Sequence, residues 1–416
     1  GTSNNVDVYA LGNKSIGVYN DNGTITLGTT GGTYEVGTNG VLLYNSGGGT
    51  INTPGTSFTV GDGSIFSIAK DSGTKTNFTS GSTLNLLSGS TGFIVDGALG
   101  IPTYFSTYYT GLNTNMDVVL TSGATLIALQ NANSTLSSLS FGSIGSNFKS
   151  VTLNGGNMAS LLEGTLTIDQ NVNLDNAADA YNTIEKSLIG ITNNAVISGS
   201  LANQVAIADN FSSVTAVTYN NMINNGTVSL SGNGSVGIYT NNGNATNNNV
   251  ISAVGANSFG IYGENGTTTL NSGTGNITVG DSVILDTMNT ENNRYAVGIY
   301  GKNSQIYNSG DIKVGYYGVG IFGSESNVEN HGNIISDAEG AIGLFIENGT
   351  LDNYGNVTLS GNSSMGIYAN KGATVTNYGI VTVNGDSSQG VYLNLASTLD
   401  NQGTININGN NSQGVL

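Results

Sequence analysis

The sequence predicts an all-β chain, a parallel β-helix with coils of about 23 residues and a few inserted loops. Two phased motifs carry that prediction. The first joins a glycine, an aliphatic residue and usually an aromatic: Gly237-Ile238-Tyr239, Gly260-Ile261-Tyr262, Gly298-Ile299-Tyr300, Gly320-Ile321-Phe322, Gly343-Leu344-Phe345, Gly366-Ile367-Tyr368, Gly390-Val391-Tyr392 and Gly414-Val415-Leu416. Successive glycines fall 23, 38, 22, 23, 23, 24 and 24 residues apart. The second motif is Asn-x-Gly, starting at Asn308, Asn330, Asn353, Asn377 and Asn401, and its glycine precedes the next glycine of the first motif by 10 or 11 residues. Two markers that keep phase over such a period describe stacked units, none of which can bury its apolar face alone.

Each unit is too short for a helix and reads as about three strands separated by glycine turns. An apolar residue stands two positions ahead of each asparagine: Ile306, Val328, Leu351, Val375 and Leu399. Alternating apolar pairs follow, as in Ile312 and Val314, Val357 and Leu359, Val381 and Val383, Ile405 and Ile407. Alternation over four or five residues bounded by Gly and Asn is the signature of a half-buried strand. Stacking puts equivalent residues about 4.8 Å apart. The asparagines then form a ladder of side-chain amides, each donating to the next, and about 15 coils give a monomeric rod of roughly 70 Å. The residues Tyr239, Tyr262, Tyr300, Phe322, Phe345, Tyr368 and Tyr392 form a second column, read as packing more than as a sugar-binding stripe because phenylalanine replaces tyrosine twice. Period 2 leaves open whether its aliphatic or its aromatic member faces inward.

Three segments follow from where the period holds. Residues 1–56 carry N-terminal coils, marked by Gly17-Val18-Tyr19, Gly40-Val41-Leu42 and Asn45-Ser46-Gly47. Residues 57–225 carry irregular coils with strands at Ser64 to Ala69, Thr83 to Leu87, Gly92 to Val95, Asp117 to Leu120, Thr125 to Leu129 and Lys149 to Leu153. Residues 226–416 carry the regular repeats. Two insertions interrupt them: the aromatic stretch Ile101 to Tyr109, beside one of two prolines, and an excess centred on Asp281 to Tyr295. Loops leaving a rigid solenoid are where binding resides, so the candidate contact residues are Tyr104, Phe105, Tyr108 and Tyr109 in the first, with Arg294 and Tyr295 in the second. The competing role for the first four is a local cap packed on the coils, and this is favoured because clustered aromatics rarely all face water. In the second insertion a cation over a tyrosine-rich face could receive a carboxylate. Ala177 to Ile189 has the composition of a short helix.

Composition narrows the function. The chain has 26 acidic and nine basic side chains in 416 residues, a net charge of −17, which argues against nucleic acid and anionic membrane surfaces as partners. No apolar stretch approaches the ~20 residues of a membrane helix, so direct membrane insertion of this segment is not expected. The N-terminal Gly1-Thr2-Ser3-Asn4-Asn5 is not a leader, so any signal peptide is expected to be removed or to lie outside this chain. With no cysteine, thiol catalysis and cysteine metal sites are excluded. The single histidine, His331, sits in the variable position of an Asn-x-Gly turn, which leaves no triad and no histidine metal site of the ordinary kinds. No cofactor, no metal and no catalytic residue are expected. One carboxylate pair, Glu329 and Asp352, falls in adjacent coils about 5 Å apart, the spacing of a retaining glycosidase. The next coils carry Thr376 and Asp400 there, the pattern of a solvated face.

The phased combination running from Gly366-Ile367-Tyr368 through Val381-Thr382-Val383 resembles the passenger domains of large type V autotransporters, most of all the fusobacterial outer-membrane adhesins. The match is specific over 226–416, weaker over 1–50 and compositional between. The resemblance implies a right-handed β-helix at the surface of a Gram-negative cell, anchored through a barrel not in this chain, or secreted. It implies attachment to other bacteria, or to host-cell proteins or glycans; a surface of Asn, Ser and Thr, poor in charge and without a histidine or cysteine site, suits such display better than catalysis. A structural stalk projecting a distant tip and a β-helical polysaccharide-degrading enzyme are the alternatives.

Overall fold

A computed structural model describes residues 7–28, 32–96, 99–121, 123–130, 139–154, 156–160, 164–176, 189–208, 221–284 and 294–416. The chain is a parallel β-helix of about 15 turns with about 24 residues per turn. Contacts divide it into two compact units, Gly1–Gln170 with Asp175–Ile189, and Asn171–Leu174 with Gly190–Leu416. The helix suggested for Ala177 to Ile189 lies outside the described residues, apart from Ile189, which begins a strand.

The second unit stacks nine three-stranded coils, from Ile189–Asn193, Val196–Gly199 and Val205–Ala208 to Thr398–Asn401, Thr404–Ile407 and Gln413–Val415. Every pairing between coils is parallel, and equivalent residues meet one coil apart: Ile306 opposite Val328, Val328 opposite Leu351, Leu351 opposite Val375, Val375 opposite Leu399. Those steps of 22, 23, 24 and 24 residues are the period read from the sequence. The interior is lined by Ile, Val, Leu and Ala, with Ile306, Ile312, Ile321, Val357 and Val375 fully enclosed.

The expected amide ladder spans all nine coils. Asn193, Asn224, Asn247, Asn271, Asn308, Asn330, Asn353 and Asn377 each donate from Nδ2 to the Oδ1 of the next asparagine at 2.7–2.8 Å, ending on Asn401. The second Nδ2 proton of Asn308 reaches the carbonyl of Gly310 at 3.0 Å, so the ladder also closes the turn that follows. Buried amides are tolerable only when both ends are satisfied, and a repeating asparagine meets that condition at every coil.

In the first motif the aliphatic residue faces inward and the aromatic faces out: Ile238, Ile261 and Ile299 are enclosed, whereas Tyr239, Tyr262 and Tyr300 are partly exposed. The glycine is a steric requirement. A Cβ on Gly237 would lie 2.5 Å from the carbonyl oxygen of Gly260 and 2.5 Å from Ile251 Cγ2 in the next coil.

The first unit has the same architecture with a different filling. Sheets run through Val8–Ala10, Thr33–Val36, Ser57–Val60, Ser82–Leu86, Met116–Thr121 and Ser150–Asn154, and through Ile16–Asp21, Val41–Ser46, Ile65–Ala69, Thr91–Asp96, Thr125–Gln130 and Asn157–Ser160. All six strands expected between residues 64 and 153 are present within a residue or two. Tyr34, Phe58, Phe66, Phe78 and Phe93 fill the interior. Val8 faces Tyr34, Tyr34 faces Phe58, Phe58 faces Leu84, Leu84 faces Val118 and Val118 faces Val151, giving steps of 26, 24, 26, 34 and 33 residues. The two longest steps contain the helices Ile101–Tyr108, Leu112–Asn115 and Phe141–Gly145. Among the described residues no helix is long and apolar enough to cross a membrane.

Candidate functional site

The first predicted contact segment is an α-helix, Ile101–Tyr108, with proline in its first turn. Helical spacing puts Ile101, Tyr104, Phe105 and Tyr108 on one face, and that face turns toward the coils. Tyr104 and Phe105 are buried in the helix, and Tyr109 is buried in the short strand that follows. The Phe105 ring packs edge-on against Phe93 and Phe148 at 5.1 and 5.4 Å, and Tyr109 meets Phe93 at 5.2 Å. The Tyr109 hydroxyl donates to Ser67 Oγ at 3.1 Å inside the coils. Burial pushes the Tyr109 hydroxyl well above its usual range and Tyr104 to about 12. Tyr104, Phe105 and Tyr109, offered by the sequence as candidate contact residues, are therefore buried against the coils, the first two on the helix face and the third on the strand that follows, the packing that the favoured cap reading describes. Tyr108 is half-exposed and borders a depression of about 460 Å³ with Lys70, Asp71 and Asp96.

The second insertion opens a corner of the second unit. Elsewhere the turn from the second strand to the third is short, as between Asp311–Lys313 and Val319–Ser324; here it runs from Asn276–Val279 to Val297–Lys302. Residues 285–293 lie outside the described set, but the root of the insertion is well defined. Val283 and Arg294 form an antiparallel bridge with reciprocal backbone hydrogen bonds of 2.9 and 3.1 Å. Ser282 Oγ donates to the Tyr317 carbonyl at 2.7 Å and accepts from the Ala296 amide at 2.9 Å. The backbone beneath Arg294 is thus fixed while its side chain is exposed. Arg294 is the only arginine in the chain and makes no ion pair with a described residue.

Beside this root lies a groove of about 700 Å³ within the second unit. Its floor is the outward aromatic column: Tyr262 and Tyr300, with ring centres 4.7 Å apart, then Phe322 edge-on to Tyr300 at 5.3 Å. Phe259 stands edge-on to Tyr262 at 5.2 Å and widens the floor by one row. Burial, then Tyr262 and Glu264, push the Tyr300 hydroxyl to about 12, so the phenol stays a neutral donor at physiological pH. Arg294 and Tyr295 line one side, and the corner asparagines Asn203, Asn233 and Asn257 line the edge. The Oδ1 atoms of Asn233 and Asn257 are occupied, accepting from the backbone amides of Ala256 at 2.9 Å and Val283 at 2.8 Å. Since a backbone N–H can only donate, this fixes the amide orientation and leaves both side-chain NH₂ groups as donors. Arg294 and Tyr295 from the sequence reading meet here; Phe259, Asn233 and Asn257 were not anticipated. Phe259 was legible as the one aromatic in a row otherwise held by Val236, Val297, Val319, Ile342, Met365 and Gln389.

The carboxylates Glu329 and Asp352 are register partners in adjacent strands, as the spacing predicts. The single histidine joins them on the surface, with His331 Nε2 3.5 Å from Glu329 Oε2 and its ring stacked on Tyr354 at 4.5 Å. Tyr354 stacks in turn on Tyr378 at 4.6 Å, and both remain more than 40% exposed (44% and 42%). Among the described residues no three His, Cys, Asp or Glu side chains are grouped to hold a metal ion.

A family model described as the BigA third pectate lyase-like domain matches residues 325–415. That segment covers the last four regular coils and ends short of the groove. Neither curated proteins nor solved structures gave a match.

Proposed function

We propose that this chain is a segment of an adhesin-like protein displayed outside the cell, attaching to surface partners without turning them over. The observation that carries this reading is the groove at the root of the second insertion. Outward aromatic rings, a guanidinium with no ion pair to a described residue and two amide donors converge there on a rigid scaffold, the arrangement of a binding site rather than of a reacting one. The family match supports a surface β-helix, since the matched domain type fits a passenger of repeated coils. A fusobacterial origin, an outer-membrane barrel anchor and partners among bacterial or host-cell proteins and glycans extend the proposal through the resemblance noted above. Many copies on one cell would add weak contacts into avid attachment.

The pectate lyase-like description of the match makes a polysaccharide-degrading enzyme the second reading. Eliminating across an acidic sugar needs a base and a cation to hold the carboxylate. Within 325–415 the only Lys or Arg is Lys371, its ammonium engaged by Glu347 at 2.6 Å, and the described lining of the groove, which does hold Arg294, has no His, Lys, Asp or Glu to act as the base. The proposal is therefore non-catalytic.

The test is attachment of the purified, fluorescently labelled chain to bacterial and epithelial cells, beside Tyr300→Ala and Arg294→Ala variants with unchanged circular dichroism. Weakened attachment by both variants is expected. Full attachment by both would move contact to another face, and no attachment by the parent would favour the stalk.

A further inference from the structure

We infer that the groove takes a carboxylated sugar, with Arg294 receiving the carboxylate while the pyranose ring lies on Tyr262 and Tyr300. This rests on the groove being the contact site proposed above. The argument is one of complementary hydrogen-bonding character. Around the groove the side chains offer donors: the Arg294 guanidinium, the NH₂ groups of Asn233 and Asn257 freed by their engaged oxygens, and the neutral hydroxyls of Tyr262 and Tyr300. A phenol can also accept, but the nitrogen groups cannot, so the ligand must bring acceptors.

Charge selects among acceptor-rich ligands. In a chain of net charge −17 an exposed arginine with no described acidic partner is an unusual local positive site. Among the described residues no Asp or Glu lines the groove. Glu264 stands two residues past Tyr262, about 7 Å along the strand, is engaged by the Tyr239 hydroxyl at 2.7 Å, and does not line the groove. Arg294 precedes Tyr300 by six residues, on the opposite side of the aromatic row. A guanidinium binds a carboxylate through paired N–H donors, a geometry that a neutral hydroxyl does not use fully.

Shape selects a sugar over an acidic peptide. The floor is a row of rings spaced by the coil repeat, with centres at 4.7 and 5.3 Å, and rings of this kind offer apolar surface to the C–H face of a pyranose. An acidic peptide would require backbone partners, and in this region the strand amides and carbonyls are consumed by pairing from coil to coil.

The experiment uses the whole chain with polygalacturonate and polysialic acid, the carboxyl-reduced form of each, and poly-aspartate, read by isothermal titration calorimetry. At least one acidic polymer should bind tenfold or more tightly than its reduced form, and the two acidic polymers together separate uronic from sialic acids. Arg294→Gln should abolish that preference, whereas Tyr300→Ala should weaken acidic and neutral polymers alike. Equal binding of acidic and reduced forms, binding of neither acidic polymer, or a preference surviving in Arg294→Gln would overturn the inference. Poly-aspartate binding as tightly as the sugars would replace it with an acidic peptide. Cell attachment that resists Arg294→Gln but fails in Tyr300→Ala would leave the attachment proposal standing and remove the acidic ligand alone.

Discussion

Asn330 receives the side-chain amide of Asn308 at 2.7 Å and passes its own to Asn353 at 2.8 Å, entirely out of solvent. Each asparagine is therefore at once donor and acceptor, and the chain of amides can be cut at any rung. Asn330→Ala leaves one donor and one acceptor buried without partners, a loss of about 2–6 kcal/mol at 1–3 kcal/mol for each orphaned group. Solenoid coils open semi-independently, so hydrogen exchange at the amides of residues 308 and 353 is the appropriate measurement. Unchanged protection there would show that the ladder is not holding adjacent coils together.

Asn330→Asp separates donor from acceptor. The carboxylate still accepts from Asn308 but turns an oxygen toward Asn353 Oδ1, and burial raises its folded-state pKa above the unfolded value of about 3.9. A raised folded value means the folded chain holds the proton more tightly, so the variant is least destabilised at low pH, where its O–H replaces the lost N–H. The deficit relative to the parent should grow as pH rises from the unfolded value through the folded one, then level off. Urea melts of both proteins at pH 4 and pH 7 test this. A deficit that shrinks on raising the pH would contradict it.

Two glycines predict opposite outcomes from one substitution. A Cβ at Gly237 meets the Gly260 carbonyl and Ile251 at 2.5 Å, whereas nothing lies within 4 Å of one at Gly273. Gly237→Ala should cost about 1–3 kcal/mol as overpacking. Gly273→Ala, at an ordinary backbone conformation, should be neutral or add up to about 1 kcal/mol by restricting the unfolded chain. Thermal melts showing equal effects would mean that the motif glycine is not there for steric reasons.

The regular coils were legible because one sequence signal, phase, reports one physical fact, register. Leu351 opposite Val375 and Asn353 opposite Asn377 in the structure are the pairs that the spacing gives. The ladder upstream was harder to see: Asn193 and Asn247 are followed two residues later by Ala195 and Asn249, so the turn glycine is missing although the amide remains. The helix Ile101–Tyr108 was hidden by its own composition. Tyr and Phe favour strands as residue types, and that preference masked the i, i+3, i+4, i+7 spacing of Ile101, Tyr104, Phe105 and Tyr108. The groove could be read only in part. Arg294 and Tyr295 are visible as an excess over the period, but their meeting with Asn233 and Asn257 depends on the Val283–Arg294 bridge that closes the insertion, a tertiary event with no local signal.

Tyrosine ionisation gives a readout of the folded state. Burial lifts Tyr104 and Tyr300 to about 12 and Tyr109 well above its usual range, against about 10 in an unfolded chain. For a group raised in the folded state, the stabilising contribution is complete below pH 10 and is lost as pH climbs through the folded value. An absorbance titration at 295 nm should show a late fraction that includes Tyr104, Tyr109 and Tyr300, rising together with loss of the β signal in circular dichroism. A single transition near 10 with the fold intact would show that these rings are not enclosed.

The aromatic helix of the first unit should be a stability element that attachment does not need. Phe105 is 4% exposed and is held edge-on by Phe93 and Phe148, so Phe105→Ala removes a ring from a packed interior. The expected cost is about 3–5 kcal/mol, seen as lost exchange protection over Thr91–Asp96 and Ser150–Asn154. Tyr108, half-exposed and touching chiefly Tyr104 at 5.0 Å, should cost less than about 1 kcal/mol when cut to alanine. Neither variant should weaken cell attachment as Tyr300→Ala does, provided the second unit keeps its β signal. Attachment lost in Tyr108→Ala with exchange unchanged would instead return the contact site to the depression that Tyr108 shares with Lys70, Asp71 and Asp96.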